Sequence, residues 1–526
     1  MSSSIPDKIR NLLKKTYAPF FGSFGKITSI QEGLIPLIMS GKNAFGVSPA
    51  ASGKTEAALA PFAELMLQSK SPALGILYIA PTRALINDIA LRIRAPLLTL
   101  SLDIAVRTGD RPELNTRQPE HLLLTTPESF DSLLCRYPKI WNQTRFVIID
   151  EIHLLDNTAR GDQLRVLIRR LELLKAAHSL QYCALSATVS DPEGMAQRYF
   201  SDFTVISASQ ERTITDHLVS DIKAVVGFLR EERRHKAMIF CNSRKETEEL
   251  ARELKKLWPA DRILVHHGSL SKKEREGVEH TFRSWQWGLC VCTMTMELGI
   301  DIGNIEAVVL YGPPPTTSAF LQRIGRGGRR SHQMVVVGCY RNDPVERFQL
   351  ITMGGLAQAG IVEKKEYIPN LSVCVQQIFS LLYGHPQGLT DDLLWEIISL
   401  LTEYNIFKEI ISHLEQTGFV ERASQRWRAT GKLMDLGARG FIHSNIAQTK
   451  EYRVISAATG KEIGGLYIEA TVGGQFILAG RTWKILQIKS RAKVLVVAAE
   501  QSDQGEAKFA KRCSNGAFAR YLPKTF

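Results

Sequence analysis

Residues 43–67 read NAFGVSPAASGKTEAALAPFAELML, and their order predicts a strand, a tight loop and a helix. The apolar run NAFGVS is typical of a buried strand, and the Ala- and Leu-rich segment after GKT favours a helix. Backbone N–H groups at the start of such a helix, together with the helix dipole, hold phosphate oxygens. This stretch therefore predicts a phosphate-binding loop that follows a strand.

The loop departs from the usual glycine-rich pattern at two positions, because Ser48 and Ala51 stand where glycine is common. Both residues are small enough to leave room for a phosphate, although they restrict the backbone dihedral angles. Gly53 permits close approach of the backbone, Lys54 reaches the β- and γ-phosphates, and Thr55 can ligate magnesium. The residues expected to bind nucleotide here are Ser52, Gly53, Lys54 and Thr55.

A pair of acidic residues ends the apolar run RFVIIDEIHLL at 145–155. Nucleotide hydrolysis needs one carboxylate to hold magnesium and another to orient and deprotonate water. Asp150 and Glu151 suit these two roles, with Asp150 as the magnesium ligand. The alternative is a pair of solvated acids at a strand end, which the GKT motif and the arginines downstream disfavour.

The segment LQRIGRGGRRSH at 321–332 supplies those arginines. Arg326 and Arg329 are three residues apart and therefore share a helix face. If both complete a γ-phosphate site across a cleft between domains, ATP closes the cleft and hydrolysis releases it. Arginines in such positions accelerate hydrolysis by roughly 10³–10⁵. The alternative is an ordinary basic patch.

Two successive regions show the alternation of short apolar runs and helical segments that indicates parallel strands joined by crossover helices. The first covers about residues 43–190 and the second about 236–340; between them, the charged segment around REERRHK is interpreted as a helix end and linker at 205–235. After about residue 365, three helical segments and a hairpin predict a winged helix, followed by short strands typical of a small β-barrel. We predict domains at 1–205, 206–365, 366–436 and 437–526.

The composition of the 526 residues is that of a globular protein with a polyanionic partner, since the net charge is +13. The basic part is the C-terminal region 439–526, with 14 Lys and Arg against 6 Asp and Glu. Trp483 lies there beside basic residues and is a candidate base-stacking residue, although core packing is the favoured interpretation. The eight cysteines lack zinc spacing, so we expect buried, reduced thiols. The absence of a long apolar run or signal sequence favours a cytoplasmic protein without membrane contact.

Nine motifs in order resemble those of superfamily 2 DExH-box helicases over about residues 20–340. They are Gln31 in ITSIQEG, SPAASGKT, PTRAL (81–85), TTPES (125–129), DEIH (150–153), SAT (186–188), IFCNSR (239–244), TMTMELGID (293–301) and QRIGRGGR (322–329). More narrowly, HHGSLSKKERE (266–276) and the C-terminal domains resemble the core of large helicase-related (Lhr) proteins. The resemblance implies an α/β fold of two tandem RecA-like domains, a winged helix and a small β-barrel-like domain.

This resemblance also implies roles for individual residues. Around ATP and Mg²⁺, Gln31 would read the adenine, Gln322 would face the γ-phosphate with the two arginines, and Asp301 would lie near the ribose or those arginines. Three residues would couple the nucleotide to strand movement: His153, Ser186 and Thr188. A path for single-stranded nucleic acid would be lined by Thr82, Arg83, Thr126, Asn242, Arg244, His267 and Thr293.

Two functions of different kind follow. The first is an ATP-driven DNA helicase that tracks along one strand, 3′→5′ as in Lhr relatives, and separates DNA or RNA–DNA duplexes. The second is an ATP-gated clamp on nucleic acid, or a subunit of a DNA repair or defence complex, without processive unwinding. Intact hydrolytic residues favour the motor.

Overall fold

The computed structural model describes residues 5–24, 26–49, 52–69, 74–174, 179–208, 213–297, 302–328, 333–364, 366–446, 452–466, 470–490, 492–500 and 516–526. Within these ranges, no helix has the length and apolar character needed to cross a membrane. All seven cysteines in these ranges are buried and unpaired, as the sequence predicts.

Lobe 1 is an eight-stranded sheet in the order β4-β3-β5-β2-β6-β7-β1-β8, parallel except for the β3–β4 pair. Its central strands are buried along their whole length, because helices cover both faces of a parallel sheet. The strands are β1 (Ala44–Val47), β2 (Ile76–Ile79), β3 (Ile104–Thr108), β4 (Arg111–Glu113), β5 (Leu122–Thr125), β6 (Phe146–Ile149), β7 (Gln181–Ser186) and β8 (Thr204–Ser207). The helices are α1 (Ile5–Leu12), α2 (Tyr17–Phe21), α3 (Ser29–Met39), α4 (Lys54–Ser69), α5 (Arg83–Thr99), α6 (Pro127–Arg136), α7 (Ala159–Leu174) and α8 (Pro192–Gln197).

Lobe 2 is a six-stranded sheet in the order β11-β12-β10-β13-β14-β9, with every pair parallel. Its strands are β9 (Thr213–Val219), β10 (Lys236–Phe240), β11 (Ile263–His266), β12 (Gly288–Cys292), β13 (Ala307–Tyr311) and β14 (Gln333–Cys339). Its helices are α9 (Ile222–Glu231), α10 (Arg244–Leu254), α11 (Lys272–Ser284), α12 (Thr317–Ile324) and α13 (Pro344–Gln358). The two sheets confirm the predicted pair of parallel-sheet α/β domains.

The interpretation of residues 205–235 as a linker is wrong. β9 pairs with β14 along its whole length, and α9 buries Ile222, Val225 and Leu229 in the lobe 2 core. Only the helix end was correct, because α9 ends at Glu231. The many charged residues of this segment obscured the apolar periodicity of α9, and the edge strand β9 before it was not recognised in the sequence.

A helical module follows lobe 2, with the three helices and the hairpin that the sequence predicts. It consists of α14 (Leu371–Gly384), α15 (Asp391–Ile398), α16 (Tyr404–Gln416), β15 (Val420–Ala423), β16 (Arg426–Ala429) and α17 (Gly431–Ala438). Thr390 caps α15, since its hydroxyl accepts a hydrogen bond from Leu393 N. The assignment of this module as a winged helix stays a prediction.

The C-terminal sheet has five strands in the order β18-β17-β21-β20-β19. These are β17 (Tyr452–Ser456), β18 (Glu462–Leu466), β19 (Gln475–Leu478), β20 (Arg481–Lys489) and β21 (Val494–Ala499). All pairs are antiparallel except β17–β21, and a register shift in β20 between Ile485 and Gln487 curls the sheet. The helical module packs on lobe 1 through α6 and α7, whereas the C-terminal sheet packs on lobe 2.

Candidate nucleotide and nucleic-acid site

The loop predicted to bind phosphate joins β1 to α4, which begins at Lys54. Gly53 adopts a left-handed conformation with φ of +83°, and a Cβ there would lie 2.2 Å from Gln31 Nε2. Gln31 Nε2 donates to Gly53 O at 3.3 Å, so this side chain lies against the loop backbone. Lys54 Nζ donates to Ser48 O at 2.5 Å and to Pro49 O at 3.1 Å. The lysine therefore lies over its own loop, next to Ser52, which is also buried.

The two adjacent carboxylates differ in their surroundings. Burial and the neighbouring Glu151 raise the pKa of Asp150 to about 6. Burial alone would raise the pKa of Glu151 too, but Lys54, His153 and Arg326 hold it below its usual value. Glu151 is itself in a left-handed conformation, with φ of +46°. Among the described residues its buried Oε2 has no hydrogen-bond partner and lies 3.5 Å from His153 Nδ1.

Three residues predicted to couple nucleotide to movement lie beside this pair. His153 Nδ1 accepts a hydrogen bond from Ala187 N at 3.2 Å, which links the acidic motif to the end of β7. Ser186 O accepts from Ser48 N at 3.1 Å, which links the same strand end to the phosphate loop. Thr188 follows two residues later and is half-buried. The loop, the acids and the SAT segment are thus hydrogen-bonded neighbours.

Arg326 of lobe 2 faces this part of lobe 1. Its guanidinium is buried, and Nη2 donates to Glu297 O at 2.6 Å. Its charge contributes, after burial, to the lowered pKa of Lys54 and acts on Glu151 in the same direction. Gln322 is half-buried on α12, four residues before Arg326. Arg329 and Asp301 lie outside the described residues.

Two residues that the sequence reasoning missed support Arg326. Arg323 is buried, and its Nε donates to Glu297 Oε1 at 2.7 Å. Arg323 Nη1 also donates to Asn242 Oδ1 at 2.9 Å. Glu297 therefore holds Arg323 by its carboxylate and Arg326 by its carbonyl. The acid in MELGID and the extra arginine in QRIGRGGR were the available signals.

The residues predicted to line a nucleic-acid path follow a different set of strands from the nucleotide residues. In lobe 1, Thr82 and Thr126 cap α5 and α6 directly after β2 and β5. In lobe 2, Asn242 and Thr293 follow β10 and β12, and Arg244 begins α10. Arg83 is exposed and lies 3.6 Å from Asp110. These residues follow the carboxyl ends of parallel strands. Most of the predicted path therefore lies along that one edge of each sheet.

Two residues predicted to contact nucleic acid are buried within the protein. His267 is fully buried, and its Nε2 lies 2.8 Å from Glu248 Oε1, inside the contact between lobe 2 and the C-terminal sheet. Trp483 is 7% exposed, donates its ring N–H to Leu478 O and packs in the core of that sheet. Neither ring is accessible for stacking or hydrogen bonding to a base. Flanking basic residues had raised the possibility of base stacking for Trp483, but alternation along the strand places it in the core, which the sequence already favoured.

The site residues fit magnesium by their chemistry. Asp150 offers a buried carboxylate and Thr55 offers a hydroxyl at the start of α4, the hard oxygen ligands that Mg²⁺ prefers. Asp150 Oδ2 accepts a hydrogen bond from Tyr78 Oη at 2.6 Å, and its Oδ1 accepts one from Glu151 N at 2.9 Å.

Comparison with known families agrees with this geometry. Residues 28–195 match the DEAD/DEAH box helicase domain, and residues 220–331 match the helicase conserved C-terminal domain. The chain therefore contains the two domains of a helicase core. This helicase core spans both lobes and includes the phosphate loop, the acidic pair and Arg326.

Individual relatives resemble the chain beyond the helicase core. It is 28% identical to an ATP-dependent helicase Lhr-Core of Sulfolobus acidocaldarius, over 93% of this chain and 63% of that protein. A Lhr-Core protein 2 of Thermococcus barophilus is 33% identical over 62% of this chain and 44% of its own length. The chain thus spans less than two thirds of these relatives.

Solved structures share the fold. The Mycobacterium smegmatis helicase Lhr bound to ssDNA and AMP-PNP aligns with a TM-score of 0.70 at 24% identity, over 82% of this chain and 62% of that one. The helicase MrfA bound to DNA and AMPPNP aligns with a TM-score of 0.76 at 19% identity, over 96% of this chain and 73% of that one. Both alignments extend past the two lobes, so the C-terminal modules belong to the shared architecture.

Proposed function

We propose that this chain is an ATP-hydrolysing helicase that moves along single-stranded nucleic acid. One observation carries the proposal: hydrogen bonds join the phosphate loop, the acidic motif and the end of β7 in lobe 1, and the buried Arg326 of lobe 2 lies near enough to lower the pKa of Lys54 and of Glu151. A nucleoside triphosphate bound at the phosphate loop would therefore contact residues of both lobes. Arrival and loss of the γ-phosphate would then alter how firmly the lobes are held together.

Each protein residue has a distinct part in this reaction. Lys54 exchanges the carbonyls of Ser48 and Pro49 for phosphate oxygens, since all of these are acceptors for the same ammonium. Glu151, whose pKa is held low, is ionised at neutral pH and accepts the proton of the attacking water. Arg326 stabilises the negative charge that develops on the transferred phosphoryl group.

The proposed cofactors are ATP and Mg²⁺. Thr55 and Asp150 would hold the metal, which when bound neutralises charge on the phosphates. Tracking in the 3′→5′ direction on DNA, with unwinding of DNA or RNA–DNA duplexes in the cytoplasm, is our proposal from the Lhr resemblance. The Mycobacterium smegmatis helicase Lhr that aligns with this chain supports single-stranded DNA as the nucleic acid in this proposal, because that helicase is bound to ssDNA.

The alternative is an ATP-gated clamp or a subunit of a repair or defence complex. The four predicted domains agree with either function, because a clamp also needs two lobes that close on ATP. The acidic pair favours the motor, because it supports hydrolysis of ATP, but a clamp can hydrolyse ATP as well, so strand displacement is what distinguishes the two functions.

Removal of the Arg326 guanidinium is the decisive test. We expect Arg326→Ala to lower kcat for strand-stimulated ATP hydrolysis by roughly 10³-fold or more, with ATP still bound. Lys54→Ala should weaken ATP binding itself, and Glu151→Gln should bind ATP without turnover. The matched control is Arg347→Ala, an exposed arginine on α13 of the same lobe. Normal turnover in Arg326→Ala would show that the lobes do not share the triphosphate.

Strand displacement distinguishes motor from clamp. Wild-type protein should displace a strand from 3′-tailed DNA or hybrid duplexes only with ATP, and not from 5′-tailed ones. ATP hydrolysis stimulated by single strands without any displacement would favour the clamp.

A further inference from the structure

Behind the two residues proposed to hold magnesium lies a second layer of polar side chains. Tyr78 on β2 is fully buried and donates its hydroxyl to Asp150 Oδ2 at 2.6 Å. Arg92 on α5 donates from Nη2 to Thr55 Oγ1 at 3.4 Å. Each side chain therefore contacts one of these two residues.

Arg92 is held by two carboxylates. Its Nε donates to Asp88 Oδ2 at 3.1 Å, one turn earlier on α5. Its Nη1 donates to Glu56 Oε1 at 3.1 Å, next to Thr55 on α4. These contacts fix a guanidinium in one orientation, because its donors form a rigid planar fork. The direction of the Arg92–Thr55 contact therefore depends on Asp88.

Asp88 also contacts lobe 2. Its Oδ1 lies 3.7 Å from Arg283 Nη2, near the end of α11, while Oδ2 binds Arg92. Asp88 is 7% exposed, so the pair is partly screened from water. Asp88 thus hydrogen-bonds to Arg92 through one oxygen and has an ion pair with lobe 2 at the other. Separation of the lobes would remove one of these two constraints.

We propose that Tyr78 and Arg92 are positioning residues for Asp150 and Thr55, and that Arg283 of lobe 2 completes their arrangement only when the lobes are closed. This inference rests on the proposed function. It means that lobe closure is communicated to the magnesium ligands by a route separate from Arg326. The route runs from α11 through Asp88 and Arg92 to the first turn of α4.

The experiment measures magnesium dependence. A fluorescent, non-hydrolysable ATP analogue is titrated with Mg²⁺ in wild type and in Tyr78→Phe, Arg92→Gln and Arg283→Ala. We expect the half-saturating Mg²⁺ concentration to rise about tenfold in Tyr78→Phe, which loses a buried hydrogen bond to a carboxylate, and about threefold in Arg92→Gln, whose side chain is 39% exposed. Arg283→Ala should raise it about threefold, because its pair is half-exposed.

Matched controls and a double variant separate positioning from folding. Arg94→Ala on α5 and Lys273→Ala on α11 remove exposed basic residues from the same helices and should leave the Mg²⁺ titration unchanged. In the Arg92→Gln background, Arg283→Ala should have no further effect, because its influence passes through Arg92. Binding of the analogue without Mg²⁺ should be equal in all variants.

Two outcomes overturn different claims. If wild type shows no Mg²⁺-dependent binding of the analogue, the proposed function itself fails. If wild type shows it and the variants titrate as wild type, or lose only thermal stability, the positioning role fails alone. Additive effects of Arg92→Gln and Arg283→Ala would also refute the route through Asp88.

Discussion

The two C-terminal modules are attached to the helicase core by contacts of opposite kind. The helical module meets lobe 1 across a buried ionic network, in which Arg170 Nη1 donates to Asp131 Oδ1 at 2.8 Å. The same guanidinium nitrogen donates to Gln377 at 2.9 Å and to Ser380 at 3.0 Å on α14. Both charged groups belong to lobe 1 and are almost fully buried, so this interface depends on a buried charge pair that hydrogen-bonds to polar side chains of α14.

The C-terminal sheet meets lobe 2 mainly through backbone groups. Glu248 on α10 accepts from Ala479 N and Gly480 N, each at 2.6 Å, in the turn between β19 and β20. Residues 269–271 pair with β18 through Gly465 N to Ser269 O and Ser271 N to Ile463 O, both 2.8 Å. Backbone pairing of this kind extends a sheet without requiring particular side chains.

The difference shows that each lobe carries its own module. The chain returns from the C-terminal sheet to the helical module, where Phe518 packs edge-on against Phe379 of α14. The sheet is thus docked on lobe 2. The segments before and after it are part of the helical module, which packs on lobe 1. A change in the angle between lobes must therefore move the sheet relative to the helical module, and single substitutions can test which attachment is stronger.

The largest effect should come from the buried pair. Arg170→Ala leaves Asp131 charged and buried, and removal of one partner from such a pair costs about 3–5 kcal/mol. We expect that loss in the free energy of unfolding of lobe 1 and the helical module, measured by urea denaturation. If the loss is below 1 kcal/mol, water replaces the guanidinium and the network does not hold the interface.

Acidification checks the same pair. Burial opposes ionisation of Asp131, but His443, Arg170 and Ser380 together lower its pKa below 3.8. A depressed carboxyl pKa stabilises the fold above the unfolded value, and this contribution is lost as pH falls through the folded pKa. The stability difference between wild type and Asp131→Asn should therefore be constant near neutral pH and narrow below about pH 4.

An intermediate effect is expected at the other interface. Glu248→Ala removes the carboxylate that binds two backbone N–H groups and His267. Loss of hydrogen bonds to a charged acceptor costs about 1.5–3 kcal/mol. Amide hydrogen exchange should accelerate in the β19–β20 turn and in residues 267–271, but not in α14. The control is Glu249→Ala, whose carboxylate is exposed on the same helix. Unchanged exchange at the turn would show that strand pairing alone holds the sheet.

The contrast also explains what could be predicted from the sequence. Motifs such as SGKT and DEIH are local, because each follows directly from a strand and its turn, so Lys54 and Asp150 could be assigned without a structure. The two-sheet architecture followed from near-continuous apolar strands. Contacts between distant segments leave no such pattern: Tyr78 and Arg92 are ordinary strand and helix residues until the fold brings them to Asp150 and Thr55.

His267 shows the same limit of sequence-based prediction, because the contacts that bury it come from a distant segment. The motif HHGSL was assigned to a nucleic-acid path from its place in the helicase order, yet Glu248 and the C-terminal sheet bury it. That burial depends on a turn more than 200 residues away in the chain. Periodicity along one segment cannot reveal it.

The smallest effect should come from Arg169, the neighbour of Arg170 on α7. Its Nη2 donates to Glu396 Oε1 at 2.7 Å on α15, so it also bridges lobe 1 and the helical module. Both side chains are more than one third exposed, and surface pairs contribute about 0.2–1 kcal/mol. Arg169→Ala should therefore shift the urea midpoint slightly, and 0.5 M salt should remove the shift. A loss as large as that of Arg170→Ala would mean that burial does not decide the strength of this interface.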